Sequence, residues 1–297
     1  MKLINPSVEL ITQKPGLEGI YEQIERVGRV CYKSEDKITE DSAKPFVDRM
    51  IKSGHNAMLE HGTVYFATSC DSEDSIFWKV ANSPYSKTVC NDRVNMLYVT
   101  TNLRVIAELN AWEVIDKYLC KPTELHIKRI CLKFITSIGV SREFNRHRVA
   151  SIAEQSTRYC NYTKDKFNNE LTFIKPSWLN IPTGHYAYWD GDWCDVDKMK
   201  IQLPEGEHKD IDAFLWTLNN AEREYTLLIN KGWQPQQARE VLPLSTATEV
   251  VYTAFEDDWE HFFDLRYRGT TGLPHPNAQQ VASMAHDLII KEIGKDL

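Results

Sequence analysis

Between Arg146 and Tyr159 the chain reads RHRVASIAEQSTRY, which sets two arginines around a histidine and then places Glu154, Ser156 and Arg158 at alternate positions. On an extended stretch alternate residues face one way, so a carboxylate, a hydroxyl and a guanidinium would converge on one ligand. Arginine presents planar, forked donors that suit phosphate oxygens, serine adds another donor, and glutamate accepts from an N–H or a sugar hydroxyl. Such a set can grip a phosphate and a polar ring together. On composition alone a solvated charge run with an Arg–Glu pair remains the competing reading.

Two further clusters carry chemistry. In GHNAMLEH, His55, Glu60 and His61 invite a zinc reading, but two ligands on one helix face need spacings such as H-E-x-x-H or H-x-x-E-H. Here the histidines are six apart with Glu60 next to the second, so no metal site is expected. His55 reads instead as a hydrogen-bonding loop contact that Glu60 and His61 orient, or they orient the following strand. Toward the C-terminus, Arg239 and Arg266 stand at the ends of apolar runs, where a long cationic side chain either snorkels to solvent or reaches an anion.

These residues need elements to hold them. SVELIT alternates like a strand, and Leu17, Ile20, Ile24 and Val27 give Gly16 to Arg29 a helical period. A second helix is expected from an N-cap at Asp41 to Lys52, stopped at Ser53-Gly54, which puts His55 just past its end. TVYFAT (63–68) and LKFIT (132–136) read as strands. The roughly 60 residues between them show mostly helical periodicity, notably Thr101 to Leu119, and are taken as an inserted helical element at about 71–130. Residues 184–208 mix aromatics, acids and glycines without a period and read as a surface loop or a substrate-covering lid. Ile211 to Lys231 is amphipathic and closes at Gly232, and Pro235 opens a helical segment that carries Arg239.

Composition narrows the function classes. A chain of 297 residues, 42% hydrophobic and 11% aromatic, can bury the core of a globular enzyme. Its net charge of −7 argues against wholesale nucleic-acid binding, so any anion site is local. No stretch approaches the roughly 18 to 20 apolar residues of a membrane span, and MKLINPSVELITQKPG lacks a signal peptide's apolar run; a cytoplasmic location is expected. The seven scattered cysteines form no C-x-x-C and read as reduced thiols, none of them placed as an activated nucleophile.

The three clusters together resemble the flavin-dependent thymidylate synthases. That family is known by Arg-His-Arg, seven residues, then Ser; here these are Arg146-His147-Arg148 and Ser156, and the match continues through Arg158-Tyr159. The Gly-His and Glu-His pairs of 54–61, Ala238-Arg239 with Val241-Leu242-Pro243, and Phe-x-x-Leu-Arg ending at Arg266 follow in the expected order. The resemblance implies an α+β fold, a single domain over 1–297 with insertions at about 71–130 and 184–208, in a homotetramer whose active sites lie at subunit interfaces. It implies reductive methylation of dUMP to dTMP, with methylenetetrahydrofolate as carbon donor and NADPH-reduced FAD as hydride donor, without an obligatory cysteine nucleophile.

By position, His55, Ala57, Arg146, His147, Arg148, Val149, Glu154 and His261 would lie along FAD. Glu143, Arg146, Glu154, Gln155, Ser156, Thr157, Arg158, Arg239 and Arg266 would surround dUMP, with Arg266 against uracil N3 and O2 as the catalytic residue. Neither metal, nucleic acid nor membrane is expected as a partner. The chain departs from the family at Glu143, where Gln is frequent, at Phe255-Glu256-Asp257, where Asn and Arg are frequent, and in the extra residues 267–277. Two other classes compete: a nucleotide-sensing or RNA-binding module, which would be colourless, and a metal-dependent hydrolase built on His55, Glu60 and His61.

Overall fold

Ile20, Ile24 and Val27 form the buried stripe of helix α1 (Gly16–Val30), as their spacing predicts. Helix α2 (Ala43–Ser53) ends where Gly54 takes φ 72°, a left-handed cap that glycine adopts without a Cβ clash. Its N-cap is Ser42 rather than the expected Asp41. The structure is a computed structural model that describes residues 1–189, 192–197 and 209–294.

The fold is α+β, with three sheets among the described residues. The central one orders β2 (Ser7–Ile11), β6 (Arg129–Ser137), β11 (Ala247–Phe255) and β7 (Ser151–Glu154), all antiparallel. Its register sets Val250 opposite both Phe134 and Glu154. One face packs on α1 through Val27, Val30, Cys131, Ala153 and Val251. The other face, through Phe134, Val250 and Tyr252, packs under α6 (Ile138–Phe144), α9 (Glu256–Phe263) and α10 (Pro276–Ile293). Coverage on both faces explains why β11 is apolar almost without alternation.

The expected helical element at 71–130 is corrected. It does contain α3 (Ser75–Ala81), α4 (Leu103–Glu108) and α5 (Trp112–Tyr118), but β4 (Lys87–Asn91) and β5 (Met96–Asn102) join β3 (Thr63–Ser69) in a second sheet, ordered β3-β5-β4. Leu97 and Val99 are buried at period two, and Thr100, Thr101 and Asn102 are buried as well. The β-branched run V-T-T therefore sits in a strand, not a helix.

The reading of 184–208 as an irregular loop is also corrected over its described part. β9 (Gly184–Trp189) and β10 (Asp192–Asp195) form a hairpin that extends β1 (Lys2–Ile4) and β8 (Thr172–Ile174) into a third sheet. Tyr186 and Trp193 are its buried anchors, packed with Leu215, Leu218 and Tyr225 of α7 (Lys209–Asn230). A lid over 198–208 lies outside the described residues. After Gly232, α8 (Pro235–Ala238) delivers Arg239.

Candidate active site

Helix α6 begins at the end of β6, where Ser137 caps it by accepting from the Val140 amide at 3.2 Å. Where α6 ends, the Arg146 and His147 amides donate to Glu143 and Phe144 carbonyls, and the Ala150 amide donates to His147. The RHR tripeptide thus lies on a tight loop between α6 and β7. Arg146, Arg148 and Val149 are exposed, and neither arginine has a side-chain partner among the described residues. His147 turns inward instead.

The alternation expected through Glu154, Ser156 and Arg158 stops halfway. β7 leaves the ladder after Glu154, the Ser156 amide donates to the Cys31 carbonyl, and the Tyr159 and Cys160 amides both fold back onto the Ser156 carbonyl. The Ser156 hydroxyl accepts from the Arg158 amide at 3.3 Å, a local side-chain turn that competes with strand continuation. Arg158 is thereby carried onto Gln236, 3.0 Å away, and over the Tyr159 ring.

Glu154, Gln155, Ser156 and Thr157 line a cavity of about 500 Å³ with Arg239. The Arg239 guanidinium donates to the Thr157 hydroxyl at 3.3 Å, which ties the end of α8 to the motif turn. The cavity also takes in Ser141 and Arg142 of α6 and the apolar Leu242, Pro243 and Leu244. Glu154 is held in place from three sides. Its Oε1 accepts from the Ser141 hydroxyl at 2.6 Å and the Thr248 hydroxyl at 3.2 Å, and its Oε2 accepts from the Asn145 amide at 3.4 Å. Sequence reasoning missed Ser141, Arg142, Asn145 and Thr248. Only the register of β11 against β7 and the turn of α6 above it could have revealed them.

Beside this cavity lies a second group. Arg266 donates to Nε2 of His147 at 3.1 Å, to the Glu143 carboxylate at 3.2 Å and to the Glu143 carbonyl at 2.7 Å. It sits on a π-helical turn, Asp264–Arg268, an irregularity that is frequent at functional sites. Burial, then the Arg266 and His261 charges, hold His147 down at about 4, so its ring is neutral at neutral pH and accepts from Arg266. The exposed His261 ring stands 5.9 Å from that of His147. Tyr252 joins the two groups: its hydroxyl donates to Asn145 at 3.0 Å, and its pKa, raised chiefly by burial and then by Glu154, feels Arg266 from the other side.

His55 and Ala57 lie exposed around the turn Asn56–His61 and line neither this cavity nor the Arg266 group. The reading of Glu60 and His61 as orienting His55 is corrected. Glu60 pairs with Arg104, and His61 is buried with Nδ1 2.8 Å from the Thr253 hydroxyl. The strand β3 that follows draws His61 into the core, while Glu60 stays half-buried on Arg104. Among the described residues no group of three or more His, Cys, Asp or Glu could hold a metal ion.

Residues 123–293 match the family described as thymidylate synthase complementing protein. The chain belongs to that family. The matched span contains every motif residue from Glu143 to Arg266 and leaves His55 and Ala57 outside it. The chain is 28% identical over 133 residues to a flavin-dependent thymidylate synthase of Haloarcula marismortui, covering 43% of this chain and 51% of that one. It is 29% identical over 121 residues to one of Pyrococcus furiosus, covering 41% and 38%. A probable flavin-dependent thymidylate synthase of Paramecium bursaria Chlorella virus 1 is 24% identical over 166 residues, covering 54% and 66%. The chain thus spans about half, or less, of the first two relatives' length. Among solved structures, a UMP/dUMP methylase, PolB, from Streptomyces cacaoi aligns over 98% of this chain and 93% of its own, at 16% identity and a TM-score of 0.45. Among the described residues no helix is long and apolar enough to cross a membrane.

Proposed function

We propose that this member of the family is a flavin-dependent thymidylate synthase that converts dUMP to dTMP, with methylenetetrahydrofolate as carbon donor and NADPH as reductant. The observation that carries the reading is the cavity in which the motif residues Glu154 to Thr157 meet Arg239, with Arg266 fixed nearby on Glu143 and His147. At about 500 Å³ it has the size of a small-ligand site. Ser156, Thr157 and Arg239 supply hydroxyl and guanidinium donors for a phosphate, and Glu154 supplies an acceptor for a sugar hydroxyl or a ring N–H. Arg158, held on Gln236 just outside the lining, supplies a further phosphate donor.

The exposed loop fits a flavin dinucleotide. Among the described residues Arg146 and Arg148 are unpaired guanidiniums suited to a pyrophosphate, Val149 is 66% exposed beside them, and His261 stands against His147 of the same loop. His55 and Ala57 would reach the flavin of a neighbouring protomer in a homotetramer whose sites are shared between subunits. FAD, when bound there, supplies the hydride.

The chain's own part is electrostatic. Methylation at C5 of a uracil builds negative charge on the ring, and a fixed guanidinium stabilises that charge as it develops. Three of the five N–H donors of Arg266 are engaged by Glu143 and His147, which aims the remaining two and leaves them for O2 of the ring and for N3 once that nitrogen has given up its proton. No cysteine lines the cavity. Cys31, whose carbonyl anchors Ser156, has a thiol pushed up to about 11, mainly by burial, and is protonated at neutral pH. This supports ring activation without an enzyme nucleophile.

The test is formation of dTMP from dUMP with methylenetetrahydrofolate, FAD and NADPH, together with the absorption spectrum of the protein mixed with FAD. Turnover that needs all four and flavin bands that remain with the protein after desalting are expected. A protein that retains no flavin from excess FAD and makes no dTMP would overturn the reading.

A further inference from the structure

A second cavity, of about 560 Å³, lies away from the motif, between the central sheet and the β3-β5-β4 sheet. None of its lining residues is shared with the Glu154 cavity. Its walls are the β2–α1 connection, the segment Leu119–Glu124 and the start of β6. One wall is pinned: the Gln13 side chain donates to the Thr63 carbonyl and accepts from the Thr63 amide, each at 2.8 Å. The opening therefore is a built cleft and not a gap beside a loose loop.

Its charge runs against that of the whole protein. Lys14, Lys121, Lys128 and Arg129 line it, against Glu124 and Glu292, in a chain of net charge −7. Lys14 is paired with Glu22 at 2.8 Å, but Lys121 and Lys128 have no ion pair among the described residues. Arg129 is the sharper signal. Its guanidinium donates to the Glu60 carbonyl at 2.8 Å and the Ser151 hydroxyl at 3.1 Å; among the described residues no carboxylate forms an ion pair with it, Glu60 and Asp258 acting only from farther off, and its buried Nε has no partner. Burial lowers it to about 10, which leaves it charged at neutral pH. A largely buried cation without a directly paired counter-charge is costly, and an anion arriving in the cleft reduces that cost. Tyr65, Leu119, Pro122 and Ile130 add an apolar surface beside the charges.

We infer that this cleft binds a small aromatic anion, its acidic group at Arg129, Lys121 and Lys128 and its ring against Tyr65 and the apolar wall. The inference stands independently of the proposed catalytic function, because its readout is binding and not turnover.

The probe is 8-anilinonaphthalene-1-sulfonate, an aromatic sulfonate that fluoresces when it leaves water, titrated into the full chain with and without saturating dUMP. Saturable binding of one molecule per chain, unaffected by dUMP, is expected. The double variant Lys121→Glu/Lys128→Glu, at an exposed and a half-buried side chain, should weaken it at least tenfold, while Lys231→Glu at the end of α7 should not change it. Thermal melting confirms that each variant is folded, and a crystal soaked with the probe should show the sulfonate at Arg129. Unsaturable fluorescence, an unchanged affinity in the folded double variant, displacement by dUMP, or a second copy of the chain filling the cleft would each overturn the inference.

Discussion

Replacing Arg266 tests the electrostatic core of the site. In Arg266→Ala the Glu143 carboxylate loses its ion pair and His147 Nε2 loses its donor. The Glu143 side chain is 34% exposed, so water re-solvates it and the stability loss should stay at ~1.5 kcal/mol, the lower end for a charged hydrogen bond. The catalytic loss should be larger. Removing one donor aimed at a developing anion lowers kcat about 10²–10³-fold, or ~3–4 kcal/mol, because that donor acts most strongly in the transition state. Arg266→Lys retains the charge but not the fork, so it cannot hold Glu143 and His147 while presenting two further N–H groups, and kcat should still fall more than tenfold. The assay is dTMP formation at saturating dUMP, alongside thermal melting of each variant. If both variants stay within threefold of the parent kcat, the guanidinium does not stabilise the ring and the assignment fails.

Ser141→Ala removes the shortest bond to Glu154 but leaves Thr248 and Asn145 in place; KM for dUMP should rise up to about tenfold with kcat little changed, and Ser141→Thr should restore it. A kcat loss with unchanged KM would mean that Ser141 does not act through substrate binding. Buried His147 and His61 set an acid limit. Folded values of about 4 for His147 and about 3 for His61, both lowered first by burial, lie below the unfolded value near 6.5, so the unfolded chain binds more protons between them and stability falls as pH drops from about 6.5 toward 4. The slope should reach ~1.4 kcal/mol per pH unit for each histidine, and denaturant unfolding from pH 7 to 5 should show His147→Gln with a shallower slope than the parent; equal slopes would contradict the burial argument.

The helices were legible because each buries a single stripe. In α1 and α7 the 3.6-residue period is uninterrupted, and in α2 the glycine stop marks the end. The strand β5 was not, because Leu97, Val99 and the polar Thr100 to Asn102 are buried together, and burial on a covered strand erases the alternation that identifies one. The β9–β10 hairpin was hidden for a related reason: its pattern of aromatics and acids becomes periodic only once Tyr186 and Trp193 are set against α7. At the site, the motif's residue types announced anion chemistry, but their geometry depended on contacts remote in sequence. Ser156 turns because its amide reaches Cys31, Glu154 is held by residues of α6 and β11, and Arg266 meets Glu143 across 123 positions. No local period encodes such pairings, and the alternation rule failed where the ladder ended.

Glu143 shows what that long-range geometry adds. The family resemblance favours glutamine at this position, and a carboxylate there first suggests a lost substrate contact. The structure gives it another role, as the partner that aims Arg266. The same negative charge opposes the charge that Arg266 is placed to stabilise. For two unit charges about 7 Å apart in an effective dielectric of about 40, Coulomb's law puts such an opposition at ~1 kcal/mol, about fivefold. Glu143→Gln leaves the main-chain carbonyl bond to Arg266 and an amide oxygen in the carboxylate's place. The variant should therefore turn dUMP over a few-fold faster at low salt, with the advantage shrinking as salt screens it. Kinetics of dTMP formation across ionic strength would measure this. A tenfold or greater fall in kcat that salt does not alter would show instead that the carboxylate takes part in proton transfer, and that its pairing with Arg266 is secondary to that task.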